Sequence, residues 1–173
     1  MSCAQRSRLR TVADRDALLA ELDAAHGAFH ELLERVDVEL VAVPGVMEDW
    51  SVRDIVHHLA VWCDHGSEAL GLAASGRGAE FAYSTADTDA MNERFLAEGR
   101  DVSPNEALRR EERAFARFRE QSAGLDPALV GQPLGNGDTV EEVIVYDGPE
   151  HYTEHMEHLR AWFGEEPTDD DDD

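Results

Sequence analysis

The chain has 173 residues, 42% of them hydrophobic, and a formal net charge of -23. That length fits one domain with a real core. So much negative charge argues against a nucleic-acid partner, which needs clustered basic residues, and no stretch approaches the roughly 18 apolar residues of a membrane span.

Arg6, Arg8 and Arg10 are followed by no apolar run, so the N-terminus does not read as a secretory signal. Cys3 and Cys63 are the only cysteines, one expected in a tail and one in a helix. A structural disulfide is therefore not expected, and a cytoplasmic location fits better. All fifteen basic residues are arginine. A GC-rich genome, a high-salt cytoplasm or both would account for that. The sequence divides into a flexible tail (1–11), one helical domain (12–164) and a disordered acidic tail (165–173) that ends in five aspartates.

The periodicity predicts four helices. The first spans about Val12 to Val36, with Leu18, Leu22, Ala25, Phe29, Leu32 and Val36 recurring at steps of three and four. A loop with a Pro44-Gly45 turn follows. Ser51 and Asp54 form a capping-box pattern for the second helix, with Trp50 placed to staple onto Ile55. Its apolar stripe is Val52, Ile55, Leu59, Trp62 and Ala69, with His58 on the flank. Arg77 to Asp101 reads as a long crossover, with at most a short helical turn at Met91 to Leu96. Phe81, Tyr83, Asn92 and Phe95 within it can cover the mouth of the bundle or simply pack.

Ser103, Pro104 and Glu106 start the third helix, whose inward residues are Ala107, Leu108, Phe115 and Phe118. After a loop with Pro133 and a Gly135-Asn136-Gly137 turn, Thr139 and Glu142 cap the fourth. Its stripe is Val140, Ile144, His151, His155, Leu159 and Trp162, interrupted by Gly148-Pro149, where a kink or break is expected. The fold class is all-α: a four-helix bundle with a long crossover between helices two and three.

Histidines carry the chemistry. The fourth helix holds His151, His155 and His158 at the spacing H-x3-H-x2-H. With about 3.6 residues per turn, His151 and His155 share one face. His158 is either a pocket residue or a surface one. His57 and His58 are adjacent and point about 100° apart, so at most one enters a common pocket. His58 is the candidate, and His57 is expected to be partly exposed or capped by polar neighbours.

Metal ligands are thus His58, His151 and His155. Three imidazoles plus water suit zinc, nickel or iron, and no cysteine supports a thiolate-rich structural site. Asp147 and His65 are the candidate catalytic residues. Asp147, one turn before His151, can orient a histidine, act as a base or simply be a solvated acid. His65 shares a face with His58 and Trp62. Cys63 has no basic neighbour to activate it and reads as a small buried residue.

The segment Trp50-Ser51-Val-Arg53-Asp54-Ile-Val-His57-His58-Leu59-Ala-Val-Trp62 resembles the second-helix signature of the DinB-like superfamily. His151-Tyr-Thr-Glu-His155-Met-Glu-His158-Leu-Arg160-Ala-Trp162 resembles its closing motif. The superfamily, also called DinB/YfiT-like, includes thiol-dependent transferases and the N-terminal domain of mycothiol-dependent maleylpyruvate isomerase. The resemblance implies metal ligands at His58, His151 and His155, and a low-molecular-weight thiol as cosubstrate.

Trp50, Ser51, Arg53, Asp54, Asn92 and the Leu159-Arg-Ala-Trp162 ending also resemble the ClbS/DfsB-like group. That pattern does not require the three metal histidines. The expected function is a divalent-metal-dependent enzyme acting on a small-molecule substrate, as an S-transferase, isomerase or hydrolase. The alternatives are a metal-independent ClbS-like hydrolase or resistance protein, and a non-enzymatic binding or stress protein stabilised by metal. Trp162 and Phe163 give a weak hint of a homodimer.

Overall fold

A computed structural model describes residues 15–165. The two expected tails, apart from Glu165, lie outside those residues, as do Cys3 and the start of the first helix. Among the described residues there is no strand, and six α-helical segments are joined by loops and short turns: α1 (Arg15–Leu33), α2 (Val52–Ala74), α3 (Thr88–Gly99), α4 (Pro104–Gly124), α5 (Val140–Val145) and α6 (His151–Trp162). Within the same residues, no helix is long and apolar enough to cross a membrane.

The bundle is made by α1, α2, α4 and the α5–α6 unit. Leu18, Leu22, Ala25, Phe29 and Leu32 are the buried face of α1, as the 4-3-4-3 spacing requires. Val36 packs against the core as a half-buried residue just beyond the helix end. At α2 the capping box closes both ways: the Asp54 amide donates to Ser51 Oγ at 3.3 Å and the Ser51 amide to Asp54 Oδ2 at 2.9 Å. Thr139 and Glu142 repeat the device at α5. Ser103 caps α4, with Pro104 in its first turn.

Two features shape the site, the first a difference from the expected layout and the second the expected break. First, the crossover is structured. A short turn at Gly78–Glu80 and another at Thr85–Asp87 lead into the three-turn helix α3. Only Phe95 and Gly99 of α3 are buried, so its apolar periodicity is too thin to read in sequence. Nevertheless α3 covers a flank of α2, and that corrects the expectation for His57. The ring is 1% exposed. It lies beneath Gly99, where an added Cβ would stand 3.0 Å from His57 Cδ2.

Second, the fourth helix is two helices. Tyr146–Glu150 form a wide π-type turn in which Gly148 leaves helical geometry (φ -117°, ψ -111°). Pro149 has no N–H to continue the ladder. The His151 amide donates to Gly148 O, and α6 starts there.

One charge is fully buried between α1, α4 and α6. Glu111 of α4 is 0% exposed. It accepts from the Tyr152 hydroxyl, and its two oxygens lie 3.2 Å and 3.0 Å from His26 Nε2 and His30 Nε2. Burial alone would raise its pKa. The close approach of His26, the hydrogen bonds from His30 and Tyr152, and the charge of His26 outweigh burial and bring it down to about 2, from an ordinary 4.5. A lowered carboxylate pKa stabilises the fold above the unfolded value, and the gain fades as pH falls through the folded value. The difference corresponds to about 3 kcal/mol. Glu111→Gln is therefore expected to lower the melting temperature by several degrees at pH 6. The gap to the native chain should close progressively between pH 4.5 and 2, as followed by circular dichroism.

Candidate metal centre

His58 comes from the second turn of α2, and His151 and His155 from the first two turns of α6. The sequence places the last two on one face by their four-residue step, and the break at Gly148-Pro149 lets α6 begin at His151. The structure brings all three together. His58 Nε2 and His151 Nε2 are 2.8 Å apart. One nitrogen from each of the three rings lies within 4.8 Å of the others. The His58 ring meets His151 and His155 edge-on, at centroid distances of 4.8 and 5.0 Å.

His158 has a definite place. Its Nδ1 is 3.3 Å from His155 Nδ1, which leaves His155 Nε2 as the nitrogen available to the centre. A partner on the far nitrogen is what fixes ring orientation and tautomer in histidine metal sites. Trp50, immediately before the α2 cap, sets its ring edge-on to His58 at 5.0 Å.

The rings are electrostatically suited to a cation. Burial lowers the His58 pKa well below 6.5, with the charges of His151 and His155 adding to the effect. Burial brings His151 down to about 4 and pushes His155 well below 6.5. At neutral pH all three are uncharged and carry a free lone pair, the form that binds metal. The donor set of three neutral imidazoles converging within 4.8 Å fits a divalent ion of the zinc, nickel or iron type.

The centre lines a cavity of about 480 Å³. Beside it, His65 Nδ1 lies 2.8 Å from Asp147 Oδ2. The dyad joins α2 to the wide turn. Asp147 is 6% exposed. Burial raises its pKa above the ordinary 3.8, and the hydrogen bond and charge of His65 oppose the rise. The crossover closes the other side. The Tyr83 ring sits edge-on to His65 at 4.6 Å, and Trp62 Nε1 donates to Asn92 Oδ1 at 3.2 Å. Phe81 and Phe95 are buried against His65 and Trp62. Tyr83 and Asn92 thus line the cavity, whereas Phe81 and Phe95 simply pack. Cys63 is buried outside the cavity, where desolvation raises its thiol pKa and Tyr152 is its polar neighbour. Trp162 and Phe163 pack within the chain, with the Arg35 guanidinium 4.6 Å over the Phe163 ring.

His26, His30 and Glu111 are not among the site residues expected from sequence. The signal was available in part. His26 and His30 have the same H-x3-H spacing as His151 and His155. Glu111 sits among Arg109, Arg110, Glu112 and Arg113, where local composition suggests a solvated face.

Residues 22–158 match the family model for the mycothiol maleylpyruvate isomerase N-terminal domain. The chain belongs to that family. No sequence among the curated proteins matches it significantly. A crystal structure of an uncharacterised protein from Escherichia coli UTI89 shares the fold, with TM-score 0.75 at 17% identity, over 87% of this chain and 92% of that one.

The wide turn depends on its glycine. A Cβ on Gly148 would stand 2.7 Å from Leu22 Cδ1 and 3.3 Å from Phe118 Cε1, both in the core. Gly148→Ala is expected to cost about 1–3 kcal/mol. It should also displace Asp147 and His151, shifting the imidazole NMR signals of His65 and His151. Gly124→Ala, where nothing lies within 4 Å of the new Cβ, should leave those signals in place.

Proposed function

We propose that this chain is a divalent-metal-dependent enzyme that transfers or isomerises a small molecule with a low-molecular-weight thiol as cosubstrate. The observation that carries the reading is the convergence of three neutral imidazoles on the wall of a cavity that also holds a buried carboxylate–histidine dyad. The family is named for a mycothiol enzyme, which supports thiol chemistry.

In this reading His58, His151 and His155 hold the ion, and His158 orients His155. Held by these three residues, a divalent ion would supply Lewis acidity that lowers the pKa of a thiol or water and polarises a carbonyl. The protein's own residues do the rest. Asp147 accepts a proton from the incoming nucleophile, and His65 fixes the carboxylate's orientation through Nδ1. The Trp62–Asn92 pair and Tyr83 shape the side of the cavity where the small molecule lies, and the crossover limits water access. Cys63 takes no part, because its thiol is buried away from the cavity and has a raised pKa.

His58→Ala, His151→Ala and His155→Ala together are expected to remove the ion from this centre in untagged protein, as read by elemental analysis, and to abolish thiol-dependent turnover. Turnover unchanged in that variant would instead favour a metal-independent hydrolase. If metal raises the melting temperature while no thiol or electrophile reacts, the protein is a metal-stabilised binding protein.

Asp147 gives the pH dependence its sign. A base works only when ionised, so kcat/KM should fall as pH drops through its pKa. Because burial raises that pKa, the acid limb should lie above the ordinary carboxylate range. Asp147→Asn should reduce kcat/KM by about 10²–10⁴-fold and remove the limb from the pH–rate profile. If the limb survives in Asp147→Asn, the base is another group.

A further inference from the structure

On the other flank of α6 from the metal centre, His26, His30 and Glu111 bring three potential ligand atoms within 4.8 Å of one another. We propose that these residues form a second divalent-metal site, of the two-histidine, one-carboxylate type. It would take a first-row ion with nitrogen and oxygen preference, such as Zn²⁺ or Co²⁺.

Several observations converge on an ion rather than a plain ion pair. His26 and His30 are one turn apart on α1, and their rings are 4.2 Å apart. Both present Nε2 to the same carboxylate, each to a different oxygen. His30 Nε2 makes a hydrogen bond with Glu111. His26 Nε2, 3.2 Å from Glu111 Oε1, is buried and lacks hydrogen-bond geometry to any partner. A proton between ring and carboxylate needs linear geometry, whereas an ion seated among the three atoms does not.

The supporting residues match a metal site as well. Phe115 stacks on the His26 ring at 3.5 Å, with 10° between planes, and holds its orientation. The Tyr152 hydroxyl donates to Glu111, the kind of outer hydrogen bond that fixes a ligating carboxylate. Among the described residues, the ion-pair partners of Glu111 are His26 and His30 alone, with no arginine. A fully buried carboxylate needs a cation. The two imidazoles keep 20% and 26% of their side-chain surface in solvent, whereas the ligand atoms of His26 and Glu111 are buried.

A metal there would join α1 to α4 directly and to α6 through Tyr152. Since Tyr152 adjoins His151, the site would brace the helix that carries the first centre.

The test is Co²⁺ titration of the full, untagged chain, with visible absorption for ligand geometry and elemental analysis for stoichiometry. The native chain should bind two equivalents. H58A/H151A/H155A should keep one equivalent, and adding H26Q/H30Q should remove it. H26Q/H30Q alone, at two partly exposed positions, should bind one. Tyr152→Phe should weaken this site by about 10–100-fold without changing stoichiometry.

The two readings fail separately. If the first centre takes no metal, the native chain binds one equivalent and H26Q/H30Q abolishes it, which supports this site. If a folded H26Q/H30Q chain binds as many equivalents as the native chain, with unchanged affinity, the second site is refuted. That comparison holds even if the triple variant does not fold.

Discussion

Burying a polar side chain costs free energy unless its atoms are partnered, and α2 is buried on nearly every side. Fifteen of its residues are buried, including Asp54, His57, His58 and Ser67. Some of these groups find partners, whereas both ring nitrogens of His57 and the Ser67 hydroxyl have no hydrogen-bond partner among the described residues. Asp54 turns back to Ser51 and takes Arg53 on its second oxygen. His58 meets α6, and His65 meets the wide turn. The site is where the demands of a surrounded helix are met by the two segments on either side of one backbone break.

That break decides what α6 can present. A continuous helix from Thr139 would keep every residue in one helical phase. The wide turn adds a local bulge, and π-type turns of this kind recur at functional sites. Here it points Asp147 at His65 and begins a new helix at His151. The same bulge brings Gly148 against Leu22 and Phe118, closer than a side chain would allow. Core packing and site geometry are thus coupled through one residue with no Cβ.

The parts legible in sequence were those governed by local rules. The caps at Ser51, Ser103 and Thr139 depend on three-residue spacings, and the α1 face on a regular apolar repeat. His151 and His155 follow from one four-residue step. The interruption at Gly148-Pro149 was legible because proline lacks a donor. What was not legible depends on tertiary neighbours. His57 is buried because α3 covers it, and α3 has only two buried residues of its own to announce it. Glu111 lies in a strongly charged stretch, and nothing local distinguishes it from Glu112, which is exposed. Only the packing of α1 and α6 against α4 separates the two.

Charge connects the two histidine clusters. A chain at -23 with no lysine repels itself, and divalent cations are among the species its field concentrates. Surface carboxylates would hold such ions weakly, in competition with water and salt. At the two proposed sites, three neutral imidazoles in a desolvated pocket, or two imidazoles with a buried carboxylate, would bind through lone pairs of fixed direction instead. The acidic surface can raise the local concentration of cations, but it cannot choose among them. Under the two proposals the choice would fall to softer nitrogen donors at both H-x3-H steps, which disfavour calcium and magnesium relative to transition ions. The histidines would then supply the selectivity that the acidic background lacks.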